Sequence, residues 1–116
     1  MEMKFTVYRD SWMRGETDKT FLFDGYEGCC LGHVANDMGV PARDIENNVG
    51  LKEGTYDLSP QWKRKVKSNL GFDWIHAADI NDYPDITDEE REAKLIELFA
   101  KHGHELTFVE GKRDWK

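Results

Sequence analysis

Cysteine is scarce in this 116-residue chain, and its two copies, Cys29 and Cys30, are neighbours. Adjacent thiols bridge only through a strained ring and cannot staple distant segments, so a disulfide-framed secreted domain is not expected and reduced thiols are. No run of about eighteen apolar residues occurs, so no membrane-spanning helix is expected, and residues 1–25 hold no apolar stretch of the signal-peptide kind. Positive charge is also short: 16 Lys and Arg face 23 Asp and Glu, a net charge of -7. Phosphate repels such a chain, which makes nucleic acid a poor default partner. A Gly-rich phosphate loop, internal repeats and low-complexity segments are all missing.

What remains fits one thin core under a heavily charged surface. Apolar residues make up 39% and charged residues 34% of the chain, with 4 Trp, 4 Tyr and 6 Phe, too many aromatics for a disordered chain. Lys4 to Tyr8 (K-F-T-V-Y) and Thr20 to Phe23 (T-F-L-F) read as strands, paired as a hairpin with a long loop. Residues 29–38 place Cys30, Leu31, Val34 and Met38 at helical spacing, and Gly39 and Pro41 end that helix. Pro41 to Asn47 suggests one further helical turn, and residues 48–58 read as loop. Ser59-Pro60 opens a helix carrying Trp62, Val66 and Leu70, closed by Gly71. Residues 72–83 are ambiguous. Thr87 and Glu90 form a capping box ahead of Leu95, Ile96, Leu98, Phe99 and His102, with Gly103 at the end. Glu105 to Val109 alternates as a last strand, and 111–116 reads as a frayed tail. The expected fold is α+β: a single domain over 1–110, with helices packed on one face of a small, mainly antiparallel sheet.

Several motifs recur in order along the chain: W-x-R-G at Trp12, Arg14 and Gly15, C-C-L-G at Cys29 to Gly32, N-D at Asn81-Asp82, E-R-E at Glu90 to Glu92, and F-V at Phe108-Val109. With them the chain resembles a family of small, mostly uncharacterised phage and prophage accessory proteins, over most of its length. The resemblance implies a non-essential accessory role in the host bacterial cytoplasm, counter-defence included, and brings no catalytic residue or cofactor.

Five constellations were weighed for chemistry. Cys29 sits near a helix N-terminus and His33 four residues on, a spacing that suits a thiolate–imidazolium pair in a thiol-dependent enzyme or redox protein. The opposing reading makes Cys29 and Cys30 small core fillers, and free cysteine is among the most buried residue types. Cys29, Cys30, His33, His76, His102 and His104 are the available soft metal ligands, but an adjacent cysteine pair chelates one ion badly, so no metal site is assigned. Lys63, Arg64, Lys65 and Lys67 beside Trp62 on the helix 60–70 suit nucleic-acid binding or an ordinary solvated face. From Asp73 to Glu92 the chain carries a dense run of acids against Arg91 alone. That run suits a mimic of nucleic-acid phosphates, or a helix start and a turn, and Asp79 and Asp82 within it are paired carboxylates of the kind that serve acid/base work, as many other pairs in the chain are. Finally, Trp12 and Arg14 on a loop are the residue types of an interface anchor, or Trp12 folds back into the core. The leading expectation is a non-enzymatic protein, without cofactor, binding a host protein or a small-molecule ligand through Trp12, Arg14, Asp79 and Asp82.

Overall fold

The computed structural model describes residues 3–15, 24–45, 70 and 74–116. Among these residues the chain runs through β1 (Lys4–Tyr8), a 3-10 turn (Arg9–Ser11), α1 (Cys30–Asp37), the single turn α2 (Ala42–Ile45), α3 (Trp74–Asp82), α4 (Asp88–Lys101) and β2 (Glu105–Val109). The expected strand at Thr20–Phe23, the loop at 48–58 and most of the basic helix at 59–71 lie outside the described residues. Leu70 alone of that helix is described, and it is buried.

The two strands alternate as their sequences require. Phe5 and Val7 of β1 and Leu106 and Phe108 of β2 are buried, and the register pairs Phe5 with Leu106 and Val7 with Phe108. The pairing is parallel, which corrects the expected antiparallel sheet. A hairpin joins neighbours in sequence, but here the first and last strands pair, and parallel strands need a crossover that helices supply. α4 runs back along the sheet, and the chain reverses at Gly103 before β2, so β2 points the same way as β1. α1 packs on β1, α4 packs on β2, and α3 lies against both helices.

Both long helix ends are built alike. After α1, Gly39 takes φ +92° and donates to the Asn36 carbonyl, while Val40 N–H reaches back to the Ala35 carbonyl, each at 3.0 Å. After α4, Gly103 takes φ +83° and donates to Ala100, while His104 N–H reaches Phe99. This is the Schellman arrangement, in which a left-handed residue, cheap for glycine, satisfies carbonyls the helix leaves open. At its other end α4 has the expected capping box: Thr87 Oγ1 accepts from Glu90 N–H at 3.1 Å, and the Glu90 carboxylate returns to Thr87.

The outer edge of β1 is closed by side chains. Thr6 N–H donates to Asp37 Oδ2 at 2.7 Å, Tyr8 N–H donates to His33 Nδ1 at 3.4 Å, and the Thr6 carbonyl accepts from Arg113 at 3.0 Å. Edge groups satisfied in this way leave little for another chain to pair with. Arg113 also bonds Asn36 and Asp37, its backbone N–H donates to Ser11 Oγ at 2.8 Å, and Trp115 Nε1 donates to the Tyr26 carbonyl at 3.1 Å. Residues 111–116 are therefore strapped across the domain rather than frayed. A buried guanidinium and a large indole supply the anchors that a reading by apolar periodicity passes over.

Candidate functional site

The carboxyl ends of β1 and β2, the C-terminus of α3 and the N-termini of α1 and α4 meet at one end of the domain. In sheets with parallel strands this is the end where ligand sites are commonly built. The segment Trp12–Gly15 crosses it, bonded to Gly28 on one side (Met13 N–H to Gly28 carbonyl, 2.9 Å) and to Asn81 on the other (Gly15 N–H to Asn81 carbonyl, 2.9 Å).

Asn81 organises this end. Its side chain is fully buried. Its Oδ1 accepts from Trp12 Nε1 at 2.7 Å and from Cys30 N–H at 3.1 Å, and its Nδ2 donates to the Met13 carbonyl and Asp82 Oδ1, each at 3.0 Å. One amide thus joins α3, the start of α1 and the crossing segment, with its hydrogen-bonding capacity filled. Arg91 does the same for the turn after α3. Buried among backbone carbonyls, its guanidinium donates to Ile80, Asn81, Tyr83 and Ile86. A cation at a helix C-terminus meets the negative end of the macrodipole, which helps this charge tolerate burial. Arg9 ties the end of β1 to both neighbours through Glu92, at 2.7 and 2.8 Å, and Glu110, at 2.8 Å.

The residues expected to bind separate into two sets here. Trp12 is 1% exposed, its ring 4.8 Å from that of Phe108, so it is a core residue and not an interface anchor. Its size and its single N–H suit the gap beside Asn81. Arg14 is used internally as well: it bonds Asp88 at 2.9 and 3.1 Å and the Trp12 carbonyl at 2.7 Å, with its guanidinium 4.7 Å from the Trp12 ring centroid. That hydrogen bond from Arg14, reinforced by its charge and by Arg91, holds the Asp88 carboxyl below its ordinary value. Asp82 is buried and takes the Asn81 bond, whereas Asp79 is exposed one helical turn earlier. Asp79 and Asp82 therefore do not present a matched pair of free carboxylates.

The Cys29–His33 pairing does not form. Both His33 nitrogens are engaged by backbone: Nδ1 accepts from Tyr8, so Nε2 carries the proton and donates to the Ser11 carbonyl at 3.0 Å. Burial away from water lowers its pKa to about 3, and it is neutral. Burial pushes the Cys29 thiol up to about 12, against the pull of the amides at the start of α1, and pushes Cys30 up as well. His104 is buried with Nε2 on the Leu70 carbonyl at 2.7 Å, and His102 is exposed at the end of α4. Among the described residues no three His, Cys, Asp or Glu side chains gather as a metal cage.

What faces solvent differs from what the motifs suggested. Tyr83 is 50% exposed on the turn after α3, with Asp79, Asp85 and Glu89 also exposed nearby in the chain. Among the described residues no ion pair engages these three acids, although Asp88 and Glu92 are paired to arginines. Tyr26 is 83% exposed on a tight turn where Asp24 Oδ1 accepts from the N–H groups of Tyr26 and Glu27. Elsewhere, a polar cleft of 370 Å³ is lined by Tyr8, Asn36, Asp37, Arg113, Asp114 and Lys116. Sequence reasoning missed Asn81, Arg91 and Tyr83 as organisers. The signal open to it is that Asn81 and Arg91 belong to the N-D and E-R-E motifs, with Tyr83 next to the first of them. Comparison with protein-family models, curated proteins and solved structures gives no match to this chain.

Proposed function

We propose that the chain is a non-enzymatic accessory protein, of phage or prophage kind, that captures a basic host protein through the turn between α3 and α4. The carrying observation is the half-exposed Tyr83 held on a turn that Arg91 fixes from beneath, close in the chain to the exposed acids Asp79, Asp85 and Glu89, which no ion pair engages among the described residues. A rigid aromatic loses little conformational freedom on binding, and surrounding charges of one sign select partners and speed encounter. Acids displayed this way suit the basic groove of a nucleic-acid-binding protein, which fits a counter-defence role. In the test, the chain is immobilised, incubated with bacterial lysate, and eluted with a DNA oligonucleotide. Basic nucleic-acid-binding proteins should elute. A Tyr83→Ala, Asp79→Asn, Asp85→Asn, Glu89→Gln variant should retain them about tenfold less well. Equal retention by a folded variant removes the proposal.

The polar 370 Å³ cleft beside Arg113 favours a second reading, a small polar ligand. Ligand-observed NMR with amino acids and nucleotides would read it, with Lys116→Glu as the control. A lack of saturation transfer eliminates this reading and leaves the first untouched.

A further inference from the structure

The outer face of α4 carries a charge pattern that is its own complement. Glu90, Lys94, Glu97 and Lys101 are all exposed, and spacings of four, three and four place them within about 60° of arc along about 16 Å of helix. Read backwards, the order becomes Lys, Glu, Lys, Glu at the same spacings. Two copies of α4 laid antiparallel about a two-fold axis therefore set Glu90 opposite Lys101 of the partner subunit and Lys94 opposite Glu97 of the partner subunit, with both contacts repeated by symmetry. This is what an isologous interface requires.

Four further observations favour a second copy over a solvated stripe. Within the helix, Glu90–Lys94 and Glu97–Lys101 have the spacing for intrahelical pairs, yet none of the four takes part in an ion pair among the described residues. Glu90 bonds Thr87 through Oε1 only, which leaves its other oxygen for a partner. Beside the stripe lies a 280 Å³ groove lined by Ile80 and Leu98 together with Lys94, Glu97 and Lys101. Both apolar residues there are partly buried against the core and so partly open. On the other flank are the exposed small residues Ala93 and Ala100, which allow two helices to approach closely.

We infer that the chain forms a weak two-fold dimer through the exposed face of α4, with the second copy covering the Ile80–Leu98 groove. Glu89 lies about 100° round the helix from Glu90, beyond Ala93 and Ala100, which puts it at the rim of the contact and not on its central stripe. The inference does not depend on what the acidic turn binds. Surface ion pairs are individually weak and screened by salt, so the dimer is concentration-dependent and dissolves as ionic strength rises.

The test is sedimentation velocity on the full chain and two variants, with circular dichroism to confirm folding. Glu90 is left intact in both because it serves the capping box. At low salt the wild-type mass should rise from 13.5 kDa towards twice that value between ~10 µM and ~1 mM, and should fall back in ~0.5 M salt. Lys94→Glu with Lys101→Glu should stay monomeric, and so should Glu97→Lys. Mixed together, these two variants should associate with each other, because three of the four cross-contacts become opposite in sign. A wild-type chain that is monomeric throughout, folded variants that self-associate as the wild type does, or a mixture that fails to associate would each overturn the inference.

Discussion

Replacing Asn81 by leucine is the sharpest probe of how this fold is held. The two side chains are close in volume, so the change leaves little cavity and isolates the hydrogen bonds. Leucine strands the Trp12 indole N–H and the Cys30 N–H in the interior and removes the part-buried bond to the Met13 carbonyl. Each buried polar group left without a partner costs about 1–3 kcal/mol. Two such groups together with the weaker loss at the Met13 carbonyl bring the total to about 4 kcal/mol, a large share of the ~5–15 kcal/mol that holds a domain. Urea unfolding monitored by circular dichroism reads this directly, and thermal unfolding should shift down by about 15 °C. Trp12→Phe completes a double-mutant cycle. With the indole N–H gone, Asn81→Leu should cost about 1 kcal/mol less than in the wild type. A loss below about 1 kcal/mol for Asn81→Leu alone would show that the network is ornamental and that packing carries this end of the domain.

Two further outcomes follow from the buried titratable groups. His33 has a folded pKa of about 3 against an ordinary 6.5, so between those values the unfolded chain binds the extra proton. Stability on its account is complete above pH 6.5 and is lost as pH falls toward 3, with a slope approaching about 1.4 kcal/mol per pH unit at most. Melting temperatures taken from pH 7 to 4.5 should fall less steeply for His33→Gln than for the wild type, and parallel slopes would refute the assignment. Cys29, with its thiol raised from 9.0 to about 12, should carry about a thousandfold less thiolate than an open cysteine near neutral pH. Iodoacetamide should modify both cysteines in urea but not in the native protein, and rapid native alkylation would return Cys29 to the list of reactive residues.

The parts of the fold that periodicity and caps govern were legible in the sequence. β1, α1, α4 and β2 fall where alternation, apolar spacing, the Thr87–Glu90 box and the glycines at 39 and 103 place them. Strand direction was not legible, because pairing between residues 4–8 and 105–109 leaves no local trace, whereas a nearby strand candidate invites a hairpin. At the candidate site the sequence displays residue types but not their surroundings. Trp12 and Arg14 are hot-spot types, but composition does not reveal that Asn81, sixty-nine positions from Trp12, offers the indole an interior acceptor. Likewise Arg91 reads as the lone cation in an acidic run, and only the placement of α3 against α4 brings four carbonyls to it. Tyr83 was passed over because exposure of a single aromatic is a property of the tertiary fold.

Pairing the first strand with the last has a kinetic consequence. Lys4 finds Glu105 only after the intervening residues have been made, so the sheet cannot assemble from a local segment. Closing so long a loop comes before any of its contacts can form, which places the strand pair late in folding and makes the reaction slower than helix content alone suggests. Until then Phe5, Val7, Leu106 and Phe108 lack each other's cover, and swift pairing of the two strands guards the folding chain against aggregation.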